Sequence, residues 1–337
     1  MSAEQLAGLS DLFVVAAVLL YVFAMVGFAI ELAFGRARPD RIAGRPSDGV
    51  AESADQQVTV KEPVAVGAGA GSAGDVVTAA GPLVASGGGP VDPSEPGTGT
   101  AMAGKVALGL AWLGWAANLA AIVSRGLAVE RWPWGNMYEF VVAISFAAVT
   151  AFLFTQLRHS VRFLGPFVMV TAALGLGLAV KVFYTSAGPV VPALDSYWIA
   201  IHVTAAIIAS GLLTLAGVAG ILYLVRGDGM SRLPSRDDLE RVAHRAIVFA
   251  FPVWTFAVIA GALWADRAWG RYWGWDPKEI WSFITWVAYA AYLHARVTAG
   301  WRGRAATIVQ LLAFGCLLFN LIGVNVFISG LHSYADV

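Results

Sequence analysis

The residues with chemistry to offer are two histidines and a dense run of tryptophans. Trp264, Trp269, Trp273, Trp275, Trp281 and Trp286 stand within one short segment, interleaved with Arg267, Arg271, Asp276, Lys278 and Glu279. Indoles gather at membrane interfaces as anchors, and one or two would be read that way. Six exceed what anchoring needs, and the charges among them would be costly against lipid. The pattern fits a flat aromatic platform with polar groups at its edge, suited to a large planar ligand that bears carboxylates.

Within that segment, Asp276-Pro277-Lys278-Glu279 reads as a helix start. Asp276 fits the N-cap, Pro277 the first helical position and Glu279 the third position of a capping box. The chain has 5 histidines. His159 and His244 lie in basic segments and read as solvated or interfacial. His202 follows the interfacial pair Tyr197-Trp198 and sits within about one turn of a helix start. His332 follows Gly330, just past the last apolar run. Both are expected at the depth of the tryptophan segment, where two imidazoles suit the two faces of a haem iron. A lone histidine satisfied by a neighbouring helix is the competing reading for each. His294 lies about 27 Å along its helix from Asp276. An ionisable group at that depth is either functional or snorkels toward nearby arginines. RWPWGNMYEF, residues 131–140, offers a second wall for the same pocket or else a tight turn with belt aromatics. Asn118, Gln310, Asn320 and Asn325 read as bonds between helices.

The elements that hold these groups are apolar helices. Of 337 residues, 58% are hydrophobic and 13% are charged, and the mean hydropathy is +0.69. A soluble domain carries roughly a quarter charged residues, so the fold class is an all-α integral membrane protein. A net charge of zero argues for no nucleic acid. Cys316 is the only cysteine, which excludes a dithiol centre or a thiolate metal site within the chain. A bilayer core needs about 20 apolar residues per helix. Eight runs qualify, near 12–34, 105–124, 138–157, 163–182, 198–225, 246–266, 279–299 and 305–328. The first resembles a signal peptide in hydropathy but lacks a basic start, and it reads as a retained span. With the first loop inside, only Arg125, Arg131, Lys181, Arg267, Arg271 and Lys278 of the 22 basic residues fall outside. That asymmetry puts both termini and the tryptophan segment outside. Residues 36–103 are rich in Gly, Ala, Pro and Ser and contain no aromatic residue, so no core offsets the entropy of ordering them. They read as a flexible cytoplasmic linker between a first helix, 1–35, and a seven-helix domain, 104–337.

WGWDPKEIWSFITW resembles the WWD signature of the haem-handling membrane proteins of c-type cytochrome biogenesis. PWGNMYEF, IHV, FPVWTFAVIAGALWA, YLHARVTAGWRGR and GLHSY narrow the resemblance to the CcsA (ResC) family of System II cytochrome c synthases, over most of residues 105–337. The resemblance implies that haem b reaches the outer face of the plasma membrane and rests on the tryptophan segment, with His202 and His332 as axial ligands. His294 then matches a transmembrane histidine that contacts haem in transit. It also implies a membrane partner of the ResB (CcsB) type, an apocytochrome c with a CxxCH motif, a thiol-reducing system and a synthase (lyase) activity of the complex. Arg267, Arg271 and Lys278 are candidates to pair with haem propionates. A haem exporter without ligase activity and a System I delivery subunit are the alternatives.

Overall fold

The computed structural model describes residues 1–35, 98–190, 192–194, 196–226 and 233–332. The expected linker lies almost wholly outside them. Helices dominate the described residues, with no strand among them: α1 Ala3–Phe34, α2 Thr98–Val129, α3 Met137–Arg158, α4 Gly165–Lys181, α5 Tyr197–Val225, α6 Arg236–Trp269, α7 Pro277–Thr298, α8 Gly303–Leu318 and the short α9 Val324–Phe327. A π-helical turn, Phe319–Gly323, joins the last two.

Seven of these segments are long and apolar enough to cross a membrane, α8 through α9 counting as one. The chain is a multi-pass membrane protein. The eighth expected span, 279–299, does form as helix α7, but it is not among the seven. Lys278 and Glu279 at one end and His294 and Arg296 at the other leave too short an apolar stretch between them. Helix α2 begins at Thr98, inside the stretch read as linker. Its first turns pack on the end of α1, where a Cβ on Gly104 would strike the Glu31 carboxylate.

The spacing of buried residues explains how the helices pair. In α1, Ser10, Val14, Ala17, Tyr21, Ala24 and Phe28 are buried at alternating steps of four and three, which is one helical stripe. That stripe faces α2 and α4. Leu12, Leu19 and Phe23, off the stripe, are exposed, as a lipid-facing side requires. Close approach comes from small residues: a Cβ on Gly114 would enter the Tyr21 ring, and one on Gly27 would strike Ala107. Helix α5 is the most enclosed and packs on α3, α6 and α8. Gly211 abuts the Ala147 backbone, and Gly217 lies under the Phe314 ring.

Charges pin the helix ends. Asn136 caps α3 by accepting from the Glu139 N–H at 2.9 Å. The Glu139 carboxylate takes the Gly135 N–H at 2.7 Å, Arg125 Nε at 3.1 Å and Arg131 Nη1 at 2.9 Å. Arg131 also reaches the Gly188 carbonyl and Arg125 the Thr185 carbonyl, so one carboxylate fixes two connecting segments. At the opposite end of α6, Glu240 pairs with Arg296 of α7 and accepts from the Gly303 N–H that opens α8.

Arg125 and Glu139 are both almost fully buried, and removing one partner of a buried pair strands the other charge. Glu139→Ala is expected to cost about 3–5 kcal/mol. Arg241→Ala breaks the exposed pair with Asp238 and is expected to cost less than about 1 kcal/mol. Thermal unfolding in detergent, followed by loss of the monodisperse species, ranks the two.

Candidate functional site

The site is assembled from five places in the chain: the segment 134–140 that opens α3, the start of α5, the C-terminal half of α6 with the segment after it, the first turns of α7, and the stretch from the π turn to His332. A cavity lies among them, with about 1060 Å³ of open space counting the adjoining solvent.

Helix α7 starts as the sequence predicts. Asp276 is the N-cap and accepts from the Lys278 N–H, and Glu279 closes a capping box on the Asp276 N–H at 3.0 Å. The same Glu279 oxygen accepts from the Gly274 N–H at 2.8 Å. The residue between those two amides, Trp275, has φ +59°, a left-handed conformation that is an outlier for a bulky side chain. The two amides converging on one carboxylate oxygen hold that turn in place.

Asp276 also reaches across to the end of the chain. Its Oδ1 accepts the Leu331 N–H at 2.7 Å, and its Oδ2 accepts from His332 Nδ1 at 2.8 Å. Burial alone would raise the Asp276 carboxyl, but the His332 ring and the Leu331 N–H outweigh it and hold the group below the usual carboxylate range. Because a carboxylate only accepts, His332 carries a proton on Nδ1, and Nε2 is the ring nitrogen left for another partner. His202 has the same arrangement by a different partner: Nδ1 donates to the Ala257 carbonyl at 2.7 Å. An imidazole whose Nδ1–H is anchored on a carbonyl or carboxylate is the usual form of a metal-ligating histidine. Both histidines line the cavity.

Glycine makes room for each contact. A Cβ on Gly261 of α6 would come within 2.7 Å of His202 Cε1, and one on Gly330 within 2.8 Å of Asp276 Oδ1. Trp264, only 2% exposed, touches both imidazoles. Its ring lies 6.2 Å from His202, 3° from parallel, and 5.6 Å from His332, while Trp269 packs edge-on to His332 at 4.9 Å.

The tryptophan segment therefore divides. Trp264 and Trp273 line the cavity, and Trp269 backs His332. Trp275 is 64% exposed. Trp281 packs on Phe319, and Trp286 donates to Thr255 Oγ1 at 2.9 Å; neither lines the cavity. Among the three basic candidates, Lys278 lines the cavity, Arg267 is exposed, and Arg271 lies over Gly274 beside Glu279. His294 is exposed near the far end of α7, 3.4 Å from Thr298 Oγ1, and is not brought to this cavity. The 131–140 segment does form a second wall, through Trp134, Asn136, Met137 and Phe140. Three buried polar atoms of cavity-lining residues have no hydrogen-bond partner among the described residues: Trp134 Nε1, Glu279 Oε1 and Asn320 Oδ1. Buried polar atoms without partners are uncommon, and three around one space mark it as a place for a polar ligand or water. Sequence reading missed Gly261, Gly330 and the facing of Asn320. The first two leave no signal beyond a small residue beside aromatics and histidines.

Comparison with known proteins bears on what such a cavity serves. The family described as Cytochrome C assembly protein matches residues 134–332, more than half of the chain and all of the cavity. Among similar proteins, the cytochrome c biogenesis protein CcsA of Trieres chinensis is 30% identical over 250 residues, covering 63% of this chain and 80% of that protein. CcsA of Synechococcus elongatus is 30% identical over 271 residues, 64% of this chain and 82% of its own length. CcsA of Chlamydomonas reinhardtii is 34% identical over 227 residues, 62% and 64%. With that span matched and the same name recurring, the chain belongs to the CcsA family of cytochrome c biogenesis proteins.

Proposed function

We propose that this chain is the haem-handling subunit of a System II cytochrome c synthase, and that the cavity holds haem b at the outer face of the plasma membrane for attachment to a CxxCH apocytochrome c. The observation that carries the reading is the pair of imidazoles on one cavity, each with Nδ1 anchored and Nε2 free. Two neutral imidazoles are a complete axial set for a haem iron. The apolar, aromatic lining suits the porphyrin faces, and Trp134 Nε1–H, a buried donor without a partner among the described residues, suits one of its carboxylates. With α7 taken as an eighth crossing, the distribution of Lys and Arg supports both termini and the tryptophan segment on the outer side.

Bound haem supplies the vinyl groups to which the apocytochrome thiols add. The chain contributes position. His202 and His332 would hold the haem iron, and Trp264 and Trp269 pack against those imidazoles. Holding the reacting groups in one geometry converts a bimolecular encounter into an oriented one. For the haem to leave, an incoming CxxCH histidine would have to replace one imidazole. His332 is the candidate for exchange, because it sits on a short tail beyond α9 and hangs on one carboxylate, whereas His202 is built into α5. Lys278, rather than Arg267 or Arg271, is the basic side chain placed to meet a propionate. His294 lies at the far end of α7 and serves, in this reading, as a transit contact shared with a ResB-type partner subunit. A reductant for the substrate thiols comes from a separate thiol-reducing system, since Cys316 is the only cysteine.

The test is the absorption spectrum of the detergent-purified chain. Wild type is expected to retain haem with a bis-imidazole Soret band. His202→Gly and His332→Gly are each expected to lose most of it and to regain it when imidazole is added. Haem retention unaffected by both substitutions would refute the assignment. Gly261→Ala is expected to lower haem retention severalfold without unfolding the chain, because the added methyl displaces His202 from the Ala257 carbonyl. Imidazole should not rescue this variant, since the His202 side chain still fills its place. With the partner subunit present, covalent haem on a CxxCH peptide distinguishes a synthase from an exporter.

A further inference from the structure

A ligand with carboxylates needs donors, and the three buried cavity atoms left without partners among the described residues differ in what they offer. Glu279 Oε1 and Asn320 Oδ1 belong to a carboxylate and an amide carbonyl. They accept, so neither meets an anion. Trp134 Nε1 is an indole N–H, which only donates. Other donors lining the cavity are spent within the protein. Trp254 Nε1 donates to the Ser282 carbonyl, Ser282 Oγ to the Glu279 carbonyl, and Asn325 Nδ2 to the Leu321 carbonyl. A buried N–H without an acceptor forfeits its hydrogen bond to water, and a carboxylate in the cavity restores one.

The backbone that carries this indole is bracketed by one ion pair. The Trp134 N–H donates to the Trp132 carbonyl at 2.9 Å, and Arg131 Nη1 reaches the same oxygen at 2.9 Å. The next amide along, Gly135 N–H, donates to Glu139 Oε2 at 2.7 Å. Arg131 closes the circuit by bonding Glu139 through both Nη1 and Nη2, at 2.9 and 3.2 Å, and it reaches the Gly188 carbonyl through Nη2. A Cβ on Gly135 would strike Arg131 Nη1 and Val190, so the guanidinium lies directly on the turn. The peptide groups on both sides of Trp134 are thereby tied to Arg131 and Glu139, neither of which lines the cavity. A planar fork that grips a carboxylate and a carbonyl at once is a contact that Arg makes and Lys does not.

We infer that Trp134 is a specificity-determining residue, its Nε1–H donating to a ligand carboxylate, and that Arg131, through Glu139 and the Trp132 carbonyl, is the residue that positions it. The inference rests on the haem reading above, and the experiment separates the two. Trp134→Phe, which keeps a ring and removes the N–H, Arg131→Lys, which keeps the charge and removes the fork, and the double variant are made in the full chain in detergent, without bound porphyrin. Affinities for haem b and for its dimethyl ester are measured by titration of the Soret band. The two ligands share iron and axial ligation and differ in the carboxylates. Wild type is expected to prefer haem b. Trp134→Phe is expected to weaken haem b about tenfold or more, the scale of one hydrogen bond to a charged group, and the ester less, so that the preference narrows. Arg131→Lys is expected to narrow it severalfold, and the double variant to bind haem b no more weakly than Trp134→Phe alone, as for two residues acting through one contact. Equal weakening of both ligands by Trp134→Phe, or no change in either, overturns the donor role. An Arg131→Lys chain with wild-type preference, or losses that add in the double variant, overturns the positioning role. Wild type that binds both porphyrins equally overturns the inference and leaves the haem reading standing, whereas wild type that binds neither overturns both.

Discussion

One carboxylate joins the parts of this site. Asp276 caps α7 through the Lys278 N–H, and it holds the far end of the described chain through Leu331 and His332. A carboxylate has two oxygens and about four lone-pair sites, and Asp276 uses them on a helix start, a backbone amide and an imidazole. The start of α7 and a tail 56 residues away are therefore registered to each other by a single side chain. The dual use also puts a proton on His332 Nδ1, because the anion can only accept. The contact is buried enough to be kept from water, and the N–H donors around it offset the cost of that burial.

The two histidines reach equivalent states by unequal means. His202 sits on the most enclosed helix and leans on a backbone carbonyl exposed by the absence of a side chain at Gly261. His332 sits on a chain end and leans on a carboxylate that also caps a helix. A backbone carbonyl is fixed by its helix, whereas a side-chain carboxylate can follow a moving tail. On the proposed haem reading, one ligand would be rigid and the other adjustable, which is the division that an exchange of axial ligands demands.

Much of this was legible in the chain. The helix class follows from composition, and the cap at Asp276 follows from the order of Asp, Pro and Glu, since capping is set by residues within one turn. The pairing of His202 with His332 came from placing each at the same interface. What stayed hidden depends on contacts distant in sequence. Nothing in FNLIGVN announces a π turn, because the turn needs Trp281 from another helix to seat Phe319. The six tryptophans look alike in sequence but have separate tasks, because helix phase and the left-handed turn at Trp275 decide which ring faces the cavity. Helix α7 formed as expected, yet its charged ends set it apart from the seven apolar spans.

Those charged ends of α7 bear on the surrounding lipid. The stretch between Glu279 and His294 rises only about 21 Å, against a hydrocarbon core of about 30 Å. Such a mismatch is met by thinning of the bilayer, by tilt or by cover from other helices. On the proposed reading, with α7 as a crossing helix, the shortfall would fall along the wall of the cavity, on the helix that carries His294 near one end and Asp276 at the other.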